Sequence, residues 1–460
     1  MTRVSELPRV CIIGAGVSGI AAAKALGEAD IPFDWFEKGS AVGGIWVYEN
    51  PNGLSAAYRD LYINTSRERM EFSDFPMPKS YPDFPHHTNI AEYFNAYVDH
   101  FGLREKITFE TEVKRAELRE DGGWEVTLAN GESRGYDALL VANGHHWDPR
   151  WPEPPFPGGF DGVEMHAHDY REKAIFAGKR VVVLGIGNSA MDIAVEASYV
   201  AERTILATRR GAHVVPKYLF GRPMDARPLS PRIPWPIRQR LLSAMLRAAV
   251  GRMTDYGLPE PDHRFGEAHP TVSGRILDRL AHGAIVCKPN IRELRGGEVE
   301  FDDGSVEPVD TIVYCTGYKV SFPFFDPALI SAPDNDLQLY RRVFHPQIPS
   351  VFFVGLVQPL GAIMPIAEAQ GRWIAAYLRG EYALPSPARL RAEIERERRR
   401  MFKRYVKSKR HTMQIDFDDY MLALRRELRG GRRRARRTGN RLPVTPRAAD
   451  TQAVELAVAA

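Results

Sequence analysis

At 460 residues the chain has room for two or three domains, and its 44% hydrophobic and 26% charged residues, with a mean hydropathy of −0.32, exclude a collagenous or wholly disordered polypeptide. The formal net charge of +4 is unevenly spread: nine arginines and one acid lie between Arg425 and Arg441, a local +8 that leaves −4 for everything else. A mildly acidic body has no general basic surface with which to displace phosphate counterions, which excludes nucleic acid as a partner.

In chain order, the apolar run Val10 to Ile13 leads into Gly14-Ala15-Gly16-Val17-Ser18-Gly19 and an alanine-rich helix reaching about Leu26. A strand over Phe33 to Phe36 closes on Glu37, 23 positions after Gly14, with Lys38 beside it. Strand, glycine turn, helix, strand, acid is the order of a dinucleotide-binding unit. Gly14, Gly16, Ser18 and Gly19 would cradle a pyrophosphate at the helix N-terminus, and Glu37 would accept from ribose hydroxyls. An acid there repels a 2′-phosphate, so this unit suits FAD or NAD. Next come a loop-rich stretch (Tyr48 to His87), a helix (Asn89 to Phe101), β-like segments (Ile107 to Leu128) and a strand (Ala138 to Ala142) ending at Asn143-Gly144. Prolines 149, 152, 154, 155 and 157 then stiffen a hinge.

The pattern recurs. Val181 to Leu184 runs into Gly185-Ile186-Gly187-Asn188-Ser189-Ala190, a helix reaches about Glu202, and a strand covers Thr204 to Ala207. Position 23 after Gly185 is Thr208, followed by Arg209 and Arg210, a pair that would receive a 2′-phosphate and so predicts NADPH over NADH. Asn188 and Ser189 add donors for the pyrophosphate; Ala190 replaces the third glycine. Pro216 to Pro270 reads as an insertion with one amphipathic helix near Ile237 to Arg252. Strands at Thr311 to Cys315 and Val351 to Val354 and helices at Ala362 to Leu378 and Pro387 to Tyr405 follow. Gly430 to Ala460 has the composition of a disordered tail. The fold class is therefore α/β, two Rossmann-like dinucleotide-binding domains with the second inserted into the first: residues 1–155 and 321–428 for FAD, 156–320 for NADPH, and a basic tail over 429–460.

One acid-marked and one arginine-marked unit suggest a flavoprotein fed by NADPH. The widely spaced Cys11, Cys287 and Cys315 offer no redox dithiol, disulfide framework or metal site, and O2 is the next electron acceptor to consider. A reducing, cytoplasmic compartment fits them, and the N-terminus lacks the shape of a signal peptide. The longest uncharged span, Pro346 to Ala367, holds four prolines and has the wrong texture for a transmembrane helix. His145, His146 and His168 lack the carboxylate or cysteine spacing of a metal site.

The segment Phe160 to Tyr170 resembles the FxGxxxHxxxY fingerprint of flavin-containing monooxygenases, with Phe160, Gly162, His166 and Tyr170 at the matching positions. Asn64-Thr65-Ser66, Phe72 to Pro78 and Gly355 to Gly361 are similar to further family segments, and the resemblance spans about residues 8 to 425. It implies that NADPH reduces FAD, NADP⁺ stays bound, and O2 adds at the flavin C4a atom to give a hydroperoxide that oxygenates a soft nucleophile, an amine or thioether. It makes Asn64 the active-site asparagine and sets Gly44 and Trp46 of a GGxW segment near the flavin. The fingerprint becomes a linker element that helps hold NADP⁺, a role the resemblance favours for His166 over the alternative of a general base. Thr316 and Gly317 form a linker turn, and Gln358 approaches the flavin's pyrimidine edge.

Asn143 stands where a Thr or Cys is usual. Two related activities stay open. A Baeyer–Villiger monooxygenase carries Trp-Pro where Tyr170-Arg171 stand and an Asp near Asn64, and a microbial N-hydroxylase shares the strand ending Thr316-Gly317-Tyr318. The expected partners are a small nucleophilic substrate and O2, with a homodimer as the commonest arrangement of soluble enzymes. The arginine run admits two readings, an anchor for an anionic membrane surface or a solvated end.

Overall fold

A computed structural model describes residues 7–226, 229–406 and 412–438. Strand β1 (Val10–Ile13) is buried along its whole length, as a strand covered on both faces must be, and helix α1 (Val17–Glu28) leaves it through the glycine turn. After β2 (Phe33–Phe36) come α2 (His87–His100), the edge strand β3 (Ile107–Thr108), an antiparallel meander β4 (Val113–Leu118), β5 (Trp124–Leu128) and β6 (Ser133–Tyr136), and β7 (Ala138–Val141). Then the chain departs. Strand β8 (Asp148–Pro149) begins the connector, and β9 (Gly158–Phe160), β10 (Val163–His166), β11 (Arg180–Leu184), α3 (Asn188–Ala197) and β12 (Arg203–Ala207) follow.

Helix α4 (Trp235–Val250) occupies the insertion; Pro236 suits its first turn and Gly251, at φ +83°, ends it. Strands β13 (Val286–Lys288), β14 (Ile291–Gly296), β15 (Glu298–Phe301), β16 (Val306–Pro308) and β17 (Thr311–Tyr314) complete this part. The chain returns through β18 (Tyr318–Lys319) to β19 (Val351–Phe353) and helices α5 (Met364–Leu378), α6 (Pro387–Arg404) and α7 (Phe417–Thr438).

Two five-stranded parallel sheets result, in the orders β19-β7-β1-β2-β3 and β10-β17-β11-β12-β13. The first is built from both ends of the described chain, because Val351 pairs beside Leu139; the second is contained within residues 163–314. Helix α5 closes over α1, and the contact is close because Gly371 sits 3.0 Å, measured from an added Cβ, from the carbonyl of Ala21.

The outgoing and returning connectors are joined to each other. Tyr318 and Lys319 pair antiparallel with Pro149 and Asp148, the Asn143 amide donates to the Ser321 carbonyl at 3.0 Å, and the Ser321 hydroxyl donates to Asp148. The Arg150 amide donates to the Gly317 carbonyl at 2.9 Å, and the Thr316 hydroxyl to that of Arg150. The proline-rich hinge is thus one half of a two-strand strap.

The expected disordered tail is corrected over its first part: α7 continues to Thr438, and residues 439–460 lie outside the described residues. The helix is fastened to the first unit. Glu427 accepts from Tyr382 at 2.8 Å and from Arg434, Arg434 Nε donates to the Ala383 carbonyl at 3.0 Å, and Leu424, Gly431 and Ala435 are buried. Arginines 425, 426, 429, 432, 433, 436 and 437 point to solvent. Among the described residues, no helix is long and apolar enough to cross a membrane.

Candidate active site

At the first glycine turn, Gly14 has φ +100°, and a Cβ there would stand 2.6 Å from the Ala142 carbonyl. A Cβ on Gly19 would collide with the Gly14 carbonyl, and one on Gly44 would lie 3.1 Å from the Cα of Gly16. The turn is therefore bare backbone from both sides. Helix α1 starts at Gly16 with no side chain capping its first amides, so those donors and the helix dipole are left for an anion. A Cβ on Gly355 would collide with the Ser18 hydroxyl, which brings the turn leading to Gln358 against this same helix end.

Glu37 ends β2 beneath the turn. Its two oxygens accept from the amides of Ala15 and Gly39, each at 2.6 Å, and burial holds its carboxyl above the usual range despite those donors. Each oxygen retains a lone pair for a ribose hydroxyl. Lys38 turns away to pair with Glu112 at 3.1 Å. Trp46 is half-buried at the end of a single 3₁₀ turn, Gly44–Trp46.

Asn64 lies in a bend, half-buried, and its side-chain amide makes no hydrogen bond among the described residues. The backbone around it is firmly held: Ile63 N donates to the Pro85 carbonyl at 3.0 Å, Lys217 Nζ to the Ile63 carbonyl at 3.0 Å, and Ser66 N to Asp225 at 2.8 Å. A fixed backbone presenting an unengaged neutral amide suits a ligand-facing side chain.

The second turn repeats the first. Gly185 has φ +141°, a Cβ on it would lie 2.7 Å from the Cys315 carbonyl, and α3 begins at Gly187, again without a capping side chain. Ala190 is fully buried against this turn. Ser189 is exposed at the helix start, while the Asn188 side-chain oxygen is taken by the amide of Val272 at 2.9 Å, leaving its NH2 as the donor. The two arginines differ. Arg210 pairs with Asp262 at 2.8 Å; Arg209 is exposed and has no partner among the described residues.

The second half of the fingerprint faces inward, and its first half lies at the surface. Phe160 ends β9, and a Cβ on Gly162 would lie 2.6 Å from its ring. His166 is fully buried, its Nδ1 accepts from the His168 amide at 3.0 Å, and burial lowers it to about 4, so the ring is neutral near pH 7. Tyr170 stacks on Phe176 at 5.4 Å and donates to Glu196, whose carboxyl burial raises to about 7. The sequence reading missed Tyr58 within the Asn64 loop and Asp192, Lys217 and Asp225 of the second unit, which hold that loop. An acid among the apolar residues in the middle of α3, Asp192, was the signal available.

Both cradles are surfaces that a Cβ would fill, and their residues fit a flavin dinucleotide and a nicotinamide dinucleotide. Known proteins agree. The sequence profile of the family described as FMO-like, flavin-binding monooxygenase-like, matches residues 8–430. The chain is 38% identical over 435 residues to flavin-containing monooxygenase 5 of Homo sapiens, covering 90% of this chain and 81% of that one. To dimethylaniline monooxygenase (N-oxide-forming) 2 of Mus musculus it is 34% identical over 451 residues, covering 91% and 82%.

Among solved structures, S-allyl-L-cysteine S-oxygenase from Allium sativum has a TM-score of 0.70 at 27% identity, covering 94% of this chain and 92% of that one. The open crystal structure of cyclohexanone monooxygenase has a TM-score of 0.68 at 18% identity, covering 93% and 98%, a likeness of fold. The chain belongs to the flavin-binding monooxygenase family and is an oxidoreductase whose cofactors are FAD and NADPH.

Proposed function

We propose that this chain oxygenates soft nucleophiles, tertiary amines or thioethers, and that Asn64 is the side chain presented to the reacting atoms. The observation that carries this reading is the unengaged Asn64 amide on a backbone held from both sides. Gly14, Gly16, Ser18, Gly19 and Gly44 receive the FAD pyrophosphate, with Glu37 on the ribose. Gly185, Gly187, Asn188, Ser189 and Ala190 receive that of NADPH, and Arg209 meets the 2′-phosphate, with Arg210 free to join by leaving Asp262. When bound, the flavin accepts hydride from NADPH and activates O2.

Asn64 donates through Nδ2 and accepts through Oδ1 without bringing a titratable proton to the site. His166 is a poor base near pH 7: the lone pair of its Nδ1 is taken by the His168 amide, and burial lowers the ring to about 4, so it holds an added proton weakly. Thr316 and Gly317 hold the connector strap, and the free thiols of Cys11, Cys287 and Cys315 favour a cytoplasmic setting.

Purified holoenzyme supplied with NADPH in air and offered a thioether, a tertiary amine or a cyclic ketone is expected to give sulfoxide and N-oxide. Rapid lactone formation with the other two substrates untouched would replace this reading with a Baeyer–Villiger one.

A further inference from the structure

The loop carrying Asn64 belongs to the first unit by sequence and to the second by packing. Tyr58, 5% exposed, lies in the core formed by Val181, Val183, Ala190, Met191 and Val313 of the second unit, and Leu61 packs at its edge. Polar contacts follow the same line. The Arg59 amide donates to the Arg171 carbonyl at 2.8 Å, Lys173 pairs with Asp60 at 2.5 Å, and His168 donates to the Gly53 carbonyl at 2.9 Å. The Tyr58 hydroxyl donates to Asp192 at 2.7 Å. Asp192 stands in the field of Lys217, whose ammonium holds the Ile63 carbonyl next to Asn64.

Asp192 lies four residues along α3 from Asn188, one turn beneath the helix start that offers its amides to an anion. We propose that Asp192 is a positioning residue through which a dinucleotide bound at the start of α3 firms the Asn64 loop, by way of Tyr58 and Lys217. The carboxylate meets that loop directly at the Tyr58 hydroxyl and acts through its field on Lys217, which in turn holds the Ile63 carbonyl, so α3 and residues 58–63 move as one body. The inference rests on the second unit's being the NADPH site.

The test is backbone hydrogen exchange of the peptide covering residues 53–66 in the holoenzyme, with and without saturating NADP⁺, alongside NADP⁺ binding and flavin content. In the unmodified chain NADP⁺ is expected to slow this exchange about fivefold to tenfold, the factor for one or two hydrogen bonds gained against local opening. Tyr58→Phe keeps the ring in the core and Asp192→Asn keeps an acceptor without its charge. Both are expected to retain flavin and NADP⁺ binding, lose the slowing, and release a larger share of NADPH electrons as hydrogen peroxide. Lys217→Met should behave alike, with Lys217→Arg restoring the slowing. NADP⁺ that binds without altering exchange in the unmodified chain, or Tyr58→Phe and Asp192→Asn that keep the full effect, overturns this inference alone. NADP⁺ that fails to bind overturns the assignment of the second unit as well.

Discussion

At Asn64 the chain offers an amide where a carboxyl would introduce charge and a mobile proton. Asn64→Asp is expected to retain FAD and lower the yield of oxygenated product about 100-fold or more, as the loss of a preorganised donor does, measured as product per NADPH consumed. Arg209, exposed and unpartnered among the described residues, is the side chain proposed to meet the 2′-phosphate. Arg209→Ala should raise the KM for NADPH roughly tenfold to hundredfold, the range for one charge-assisted bond, while leaving that for NADH nearly unchanged. Glu196 supplies a pH signature. Burial raises its carboxyl to about 7, so the folded chain keeps a proton that the unfolded chain has already released, and stability falls as pH rises from about 4.5 through 7. Glu196→Gln removes that dependence. Urea titrations should show the variant gaining about 2 to 3 kcal/mol on the native chain at pH 8 and converging with it near pH 4. The glycine cradles, Glu37 and the fingerprint were legible because each is a short string whose spacing is its geometry. Tyr58, Lys217 and Asp225 were not, since the contacts Tyr58–Asp192, Lys217–Ile63 and Asp225–Ser66 join residues 134 to 159 positions apart.

Helices and strands were read from apolar periodicity, and the sheet strands follow it closely: β1, β7, β11 and β17 are apolar runs buried along all or nearly all their length. Helix α7 was misread for a physical reason. Its buried stripe runs through Tyr420, Leu424, Gly431 and Ala435, and the last two are too small to register as hydrophobic, so the arginines around them dominated the composition. The helix holds because small residues let its backbone lie against Tyr382. Two neighbouring glycines therefore give opposite expectations. A Cβ on Gly431 collides with the Tyr382 ring, and Gly431→Ala should destabilise by about 1 to 3 kcal/mol, since overpacking outweighs the helical gain of about 1 kcal/mol. At Gly430 the nearest atom is the tip of Arg434 at 3.4 Å, so Gly430→Ala should raise the melting temperature.

Over the whole molecule, the three thiols report folding together. Cys11 is fully buried and its thiol is pushed well up by desolvation, as is that of Cys315, while burial raises Cys287 to about 11. Native protein at pH 7 should label slowly with iodoacetamide, Cys11 last because it alone is fully buried while Cys287 and Cys315 are half-buried, and take up three equivalents once unfolded; rapid labelling of Cys11 before unfolding would show that the core around it opens locally. The first sheet also sets an order of assembly. Val141 ends β7 and Val351 begins β19, its neighbour, with 209 residues between them. A ribosome needs roughly 10 to 40 s to deliver that length, during which the inserted sheet can finish while β7, with Leu139, Leu140 and Val141, waits as an uncovered apolar border. Nascent chains stalled before Val351 therefore expose an adhesive rim, and chaperone demand in translation should end abruptly when that single late strand emerges.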